Sequence, residues 1–291
     1  MRMGRHLGLA AIASAAAVLL SSGAAQAQAR ALPAALTAPA PATAVSALPA
    51  SAASVSVASV SVASGAGVRR APEAPPFAAP DRTLRTGASG TAVKRLQARL
   101  KELGYHPGSV DGRYGGATLA AVWAFQKVNG VKPTGTVSGR TWRALEEPRA
   151  PRVLVPKGRP DRVEVDLTKQ IMVLYSAGEA RLISHISSGS GVPYCETATW
   201  EGRTQRFCGD ARTPTGNYKT TWRRDGWHVS YLGRLYNPIF FNGGIAFHGA
   251  LSVPLAPASH GCVRLPMHIA EMLPDLLGTG VPVHVRGKFA R

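Results

Sequence analysis

The hydrophobic positions of this chain repeat with one period in its middle and another in its second half. Val93, Leu96, Leu100 and Leu103 fall at i, i+3, i+7 and i+10, one face of an amphipathic helix, and Gly104 follows as a C′ terminator. Ala117 to Val128, with Leu119, Val122, Phe125 and Gln126 on one side, predicts a second helix, and Thr141 to Glu146 a short third. Past Pro160 the period becomes two: Val163, Val165 and Leu167 alternate with Arg162, Glu164 and Asp166, as in a half-buried strand. Ile171 to Tyr175, Leu182 to Ser187, Asn217 to Trp222, Val229 to Leu232, Pro238 to Phe241, Ile245 to Phe247 and Val281 to Val285 also predict strands. Turns at Lys169, Ala177-Gly178-Glu179, Pro214-Thr215-Gly216 and Asn242-Gly243-Gly244 separate them, and Pro266 to Leu277 predicts a helix. The expectation is a multidomain chain: a small all-α module of three helices at 81–147, a Pro-containing hinge at 148–160, and a mainly β, sandwich-like domain at 161–288.

The residues before the first helix point outside the cell. Arg2 and Arg5 precede an apolar stretch from Leu7 to Leu20, and Ala25-Gln26-Ala27 has the small residues a signal peptidase reads, so 1–27 is expected to be a cleaved secretory signal. That stretch, and every later one, falls short of the roughly 20 apolar residues of a membrane span. Residues 28–80 are Ala, Pro, Ser and Val with few bulky apolar side chains, the composition of a disordered tether.

Charge changes the picture less than it first suggests. With 34 Lys and Arg against 16 Asp and Glu the net charge is +18, which favours polyanions, anionic wall polymers among them. No Lys/Arg run is interleaved with aromatics, so a nucleic-acid partner is not expected. Cys195 and Cys208, 12 residues apart, are free to pair in an oxidising compartment. A zinc site on them is the rival, disfavoured because no Cys-x-x-Cys or His-x-x-x-His unit accompanies them. If they pair, Cys262 is the odd thiol, in the position of a reactive one.

Cys262 sits in FHGALSVPLAPASHGCVRLP, Phe247 to Pro266, a Gly- and Pro-rich run with two His-Gly pairs. A thiol attacks as thiolate, and His248, His260, Arg264 and a helix after Pro266 are all candidates to stabilise one. His248, Ser259, His260, Gly261, Cys262, Val263 and Arg264 together resemble the catalytic signature of the L,D-transpeptidases. Ten residues separate His248 from Ser259, a short spacing that puts the shape of the connecting loop in question. The resemblance covers about Val153 to Arg286 and includes VEVDLTKQIMVLY, the Thr213-Pro214-Thr215-Gly216 turn and NPIFFNGGIAFHG. It implies Cys262 as nucleophile and His248 as general base. His260 is expected to support the loop or the thiol, the N–H groups of Gly261 and Cys262 to form the oxyanion hole, and Arg264 to hold a substrate carboxylate. Ser259 makes a loop hydrogen bond or touches substrate, and Tyr231, Tyr236 and Asn242 are candidate groove residues. The remaining histidines, His106, His185, His228, His268 and His284, are expected to be structural or exposed.

The helical module is similar to the peptidoglycan-binding domain of wall enzymes, through Leu96-Gln97, Leu103-Gly104-Tyr105, Asp111-Gly112-Arg113-Tyr114-Gly115, Phe125-Gln126 and Thr141-Trp142. The two resemblances imply a secreted or wall-located enzyme that needs no metal and no cofactor. It would crosslink peptidoglycan stem peptides through a Cys262 thioester with release of D-alanine. Water as acceptor would make it an L,D-carboxypeptidase or a crosslink endopeptidase, and an incidental cysteine would leave a non-catalytic wall-binding protein.

Overall fold

The computed structural model describes residues 77–289; the expected signal and most of the expected tether lie outside them. Three helices come first, α1 (Thr91–Glu102), α2 (Gly116–Val128) and α3 (Gly139–Glu146). Val93, Leu96, Leu100, Val122, Phe125 and Leu145 are fully buried between them. Two buried glutamines hold the connecting turns. Gln97 donates to Asp111 Oδ1 (2.9 Å) and accepts from the Gly112 N–H (2.8 Å), and Gln126 donates to Thr136 O (2.9 Å) and accepts from the Gly135 N–H (3.1 Å). The module begins earlier than expected. Phe77 stacks on Trp142 with centroids 6.2 Å apart, and the Ala79 N–H donates to Glu146, so residues 77–80 belong to it and not to the tether.

The second half contributes β1 (Arg162–Asp166), β2 (Ile171–Ser176), β3 (Glu179–His185), β4 (Pro193–Trp200), β5 (Arg203–Asp210), β6 (Gly216–Lys219), β7 (Trp227–Ser230), β8 (Gly233–Asn242), β9 (Ile245–Gly249), β10 (Val263–Leu265), α4 (Met267–Leu276) and β11 (Pro282–Arg286). One sheet has the order β3-β2-β1-β11-β6 and a second β10-β9-β8-β7, with β1/β11 and β9/β10 parallel and the other neighbours antiparallel. Val163, Val165, Met172, Leu174, Val283 and Val285 from the first sheet meet Ile239, Phe241, Phe247, Val263 and Leu265 from the second, and α4 closes the core with Ile269 and Leu273.

β4 and β5 pair only with each other and were absent from the expected elements. Their side chains are mostly exposed, so they carry no apolar alternation to read. β7 also starts at Trp227, two residues before the run expected from Val229.

β2 is buried on both faces. Met172 and Leu174 face the sandwich, while Ile171, Val173 and Tyr175, with Ile183 of β3, complete the core of the helical module. Backbone joins the two as well, the Ile183 N–H donating to Gly104 O at 2.8 Å. The segment 148–160, expected as a hinge, is fastened near its start and at its middle: the Arg149 N–H donates to Asn129 Oδ1 (2.8 Å) and the Leu154 N–H to Glu164 Oε2 (2.6 Å). Glu164, itself buried, also pairs with Arg162 at 2.8 Å.

Candidate active site

Parallel pairing of β9 and β10 brings the two ends of the Gly/Pro-rich loop together. His248 lies in β9 opposite Arg264 of β10, and Cys262 is the residue that leads into β10. His248 is only 6% exposed, and its Nδ1 lies 2.9 Å from Gly249 O. A carbonyl only accepts, so Nδ1 carries the proton and Nε2 is left as the basic nitrogen. Burial lowers the His248 pKa to about 4, against the raising effect of the Gly249 hydrogen bond and together with the nearby Arg264 charge. The imidazole is therefore neutral at ordinary pH.

The thiol of Cys262 is half-buried and donates to Gly244 O at 3.6 Å. Burial raises its pKa, while a hydrogen bond from the Ala246 backbone and the Arg264 charge pull the other way and do not prevail. Of the groups named as candidates to stabilise a thiolate, only Arg264 lowers this pKa, and burial prevails over it. Arg264 sits beside both groups, yet desolvation outweighs its charge. The resting pair is a neutral thiol with a neutral base.

The loop carrying Cys262 is held mainly by its own short bonds. The Ser259 hydroxyl donates to Cys262 O at 2.5 Å and accepts from the Gly261 N–H at 3.0 Å. Thr213, in the turn after β5, donates to Gly261 O (2.6 Å) and accepts from the Gly189 N–H (2.9 Å). These backbones approach so closely that a Cβ on Gly189 would lie 2.4 Å from Ala211 O, and Gly261 sits at φ +142° against Arg212 O. The Gly261 N–H expected at an oxyanion is thus engaged inside the loop.

His260 faces a different element. Its Nε2 lies 2.7 Å from Glu196 Oε1 of β4, and its ring packs edge-on to Tyr194 of the same strand at 4.6 Å. The β4–β5 hairpin that supplies both is crosslinked by the Cys195–Cys208 disulfide between directly opposed residues. Phe207 of β5 stacks on Tyr231, centroids 4.1 Å apart and planes at 17°. Hairpin, loop and second sheet enclose a cavity of about 750 Å³ lined by Cys262, His248, His260, Arg264, Ser259 and Tyr231, together with Trp200, Trp222, Trp227 and His228.

Of the nine residues expected at the catalytic and substrate positions, six line the cavity, and Gly261 lies in the loop between His260 and Cys262. Asn242 ends β8 at the turn into β9, outside the lining. Tyr236 is also outside, packed beside Gly249. Sequence reasoning missed Glu196 and the bracing role of Thr213, which arise from contacts over 24 or more positions along the chain. It also left His228 among the structural histidines, although that ring lines the cavity. Among the described residues no group of three His, Cys, Asp or Glu side chains is arranged to hold a metal ion, and no helix is long and apolar enough to cross a membrane.

Comparison with known proteins places both halves. Residues 89–145 match the family model of a peptidoglycan binding domain and residues 160–285 that of the L,D-transpeptidase catalytic domain. The crystal structure of an L,D-transpeptidase from Xylanimonas cellulosilytica is 38% identical and superposes with a TM-score of 0.63, covering 70% of this chain and 98% of that one. An uncharacterised protein of Kitasatospora aureofaciens is 49% identical over 59 residues, which are 20% of this chain and 50% of that protein. The spore cortex-lytic enzyme of Bacillus subtilis is 41% identical over 66 residues, 22% of each. The chain thus spans half or less of the curated relatives it matches.

Proposed function

Given that the chain belongs to the L,D-transpeptidase family and carries a peptidoglycan-binding module ahead of the catalytic domain, we propose that it is an exported cysteine acyltransferase that crosslinks stem peptides in the cell wall. The observation that carries the reading is the neutral His248, its Nδ1 fixed by Gly249 O, sharing one cavity with the half-buried thiol of Cys262. As Cys262 Sγ attacks the carbonyl of the third residue of a tetrapeptide stem, its proton passes to His248 Nε2. The C–S bond forms, the C–N bond to D-alanine breaks, and the imidazolium returns the proton to the leaving amine. An amine of a neighbouring stem then attacks the thioester, giving a new amide and the free thiol.

A neutral resting pair suits this sequence, because the base is unprotonated when the thiol must lose its proton. The Cys262 N–H remains the proposed oxyanion donor. Arg264 lines the same cavity, and its guanidinium fork would hold a substrate carboxylate. The energy of the cleaved amide is retained in the thioester, so the reaction requires no nucleotide.

Incubation with purified disaccharide tetrapeptide tests the reading. Crosslinked dimer with release of D-alanine is expected, and Cys262→Ala should abolish both this and the mass increase caused by a carbapenem. Tripeptide as the sole product would replace transfer by hydrolysis, and a carbapenem adduct on Cys262→Ala would remove the cysteine from the mechanism.

A further inference from the structure

Beside Cys262 the cavity wall becomes aromatic, and its rings are arranged as backed platforms. Cys262 packs against a small cluster of Leu235, Phe240 and Ala246. Trp222 in turn stacks on Phe240, with centroids 3.8 Å apart and planes at 10°, while 45% of the residue stays exposed. One indole face is therefore covered and the other open to the cavity it lines. Backbone bonds hold it there, Phe240 N–H to Trp222 O at 2.9 Å and Thr221 N–H to Phe240 O at 2.8 Å. His228 packs edge-on to both rings, at 5.9 Å from Trp222 and 6.0 Å from Phe240. Further along the wall Trp227, 41% exposed, carries the Arg234 guanidinium over its ring at 4.6 Å. Ser230, His228 and Arg234 supply polar groups around the rings.

We propose that Trp222, backed by Phe240, is a stacking subsite for a pyranose ring of the glycan that bears the reacting stem peptide. On that assignment the cavity selects a saccharide-linked stem over a bare one. The inference deepens the acyl-transfer reading and rests on it for the identity of the peptide. A pyranose presents a flat face of C–H groups surrounded by hydroxyls, and the wall offers a flat, fixed indole face surrounded by hydrogen-bonding side chains. A stem peptide has no rigid face of that size, and the indole face of Trp222 turned away from Phe240 stays open to the cavity. The direct succession from Cys262 to Phe240 to Trp222 places the ring beside the chemistry, where a sugar joined to the stem can follow it.

The test compares D-alanine release from disaccharide tetrapeptide and from the same tetrapeptide without sugar, using the full chain. Wild type should favour the saccharide-bearing substrate about tenfold in kcat/KM, mainly through KM. Trp222→Leu, which keeps apolar cover on Phe240 but removes the flat face, should bring that ratio close to one, and Trp222→Tyr should preserve most of it. A wild-type ratio near one, or equal ratios for the Leu and Tyr variants, overturns the proposal. Titration of the isolated disaccharide into the Cys262→Ala protein gives an independent reading through tryptophan fluorescence. Saturable quenching that Trp222→Leu abolishes supports the subsite even if no peptide is turned over, a result that would defeat acyl transfer alone. Absence of saccharide-dependent quenching overturns the subsite.

Discussion

The two sides of the Ser259–Cys262 loop are built differently. On one side His248 is 6% exposed, neutral, and fixed by main chain in the interior of a parallel strand pair. On the other His260 is half-exposed and held by Glu196 from a hairpin whose own side chains are largely in solvent. Apolar packing sets the first, because burial decides the protonation of His248 and Cys262 alike. A crosslink and a few side-chain contacts set the second, because a polar hairpin has little apolar surface to bury and is held by its disulfide, the His260–Glu196 hydrogen bond and the Phe207–Tyr231 stack. The difference teaches that the His248 side shares the packing of the core, while the covering side responds to the redox state of Cys195 and Cys208.

The largest expected effect lies on the buried side. His248→Gln should lower the rate of acylation by about 10²–10⁴-fold with little loss of folding, measured by D-alanine release and circular dichroism. The wild-type rate should fall as pH drops through about 4, where Nε2 becomes protonated. Because the folded pKa lies below the unfolded value near 6.5, the unfolded chain binds more protons in between. Stability should therefore decline as pH falls from about 6.5 to 4, by roughly 3 kcal/mol from this group. Denaturant titrations across that window that show flat stability would mean that His248 is hydrated in solution.

On the covering side, replacing both Cys195 and Cys208 with serine should remove up to roughly 3 kcal/mol of constraint from the hairpin. Hydrogen exchange should rise in β4 and β5 and remain unchanged in β9 and β10, whereas an equal rise in both would erase the contrast. Thr213→Val leaves Gly261 O and the Gly189 N–H without their partner and should cost about 1–3 kcal/mol of stability, read from thermal unfolding. Glu196→Gln is the mildest change. It keeps a hydrogen-bonding atom near His260 and removes a partly exposed charge, so stability should change by less than about 1 kcal/mol and less still at high salt. A larger loss would show that the hairpin depends on this pair.

Legibility followed the same division. The helices and most of the sandwich strands announce themselves through apolar period, as with Val93, Leu96 and Leu100 or Val163 and Val165, because each buries one side against a shared core. Residues 193–210 bury almost nothing, so no periodicity marked the hairpin, and Glu196 had no signal beyond being one carboxylate among sixteen acidic residues. The hinge expectation at 148–160 came from proline content, which describes the chain locally and says nothing of Asn129 and Glu164, the side chains that tie it down.

The amino-acid order alone determined which residue types meet around Cys262, since His248, Ser259, Gly261 and Arg264 lie within a short segment whose ends the adjoining strands must carry. It also determined that two modules exist, through the change of hydrophobic period. Only the folded arrangement decided that burial raises the thiol pKa of Cys262, that Gly261 braces the loop, that β2 serves two cores, and that the aromatic wall opens beside Cys262. Those properties depend on desolvation and on contacts between distant segments, which come into being when the sheets, the hairpin and the helices close on one another.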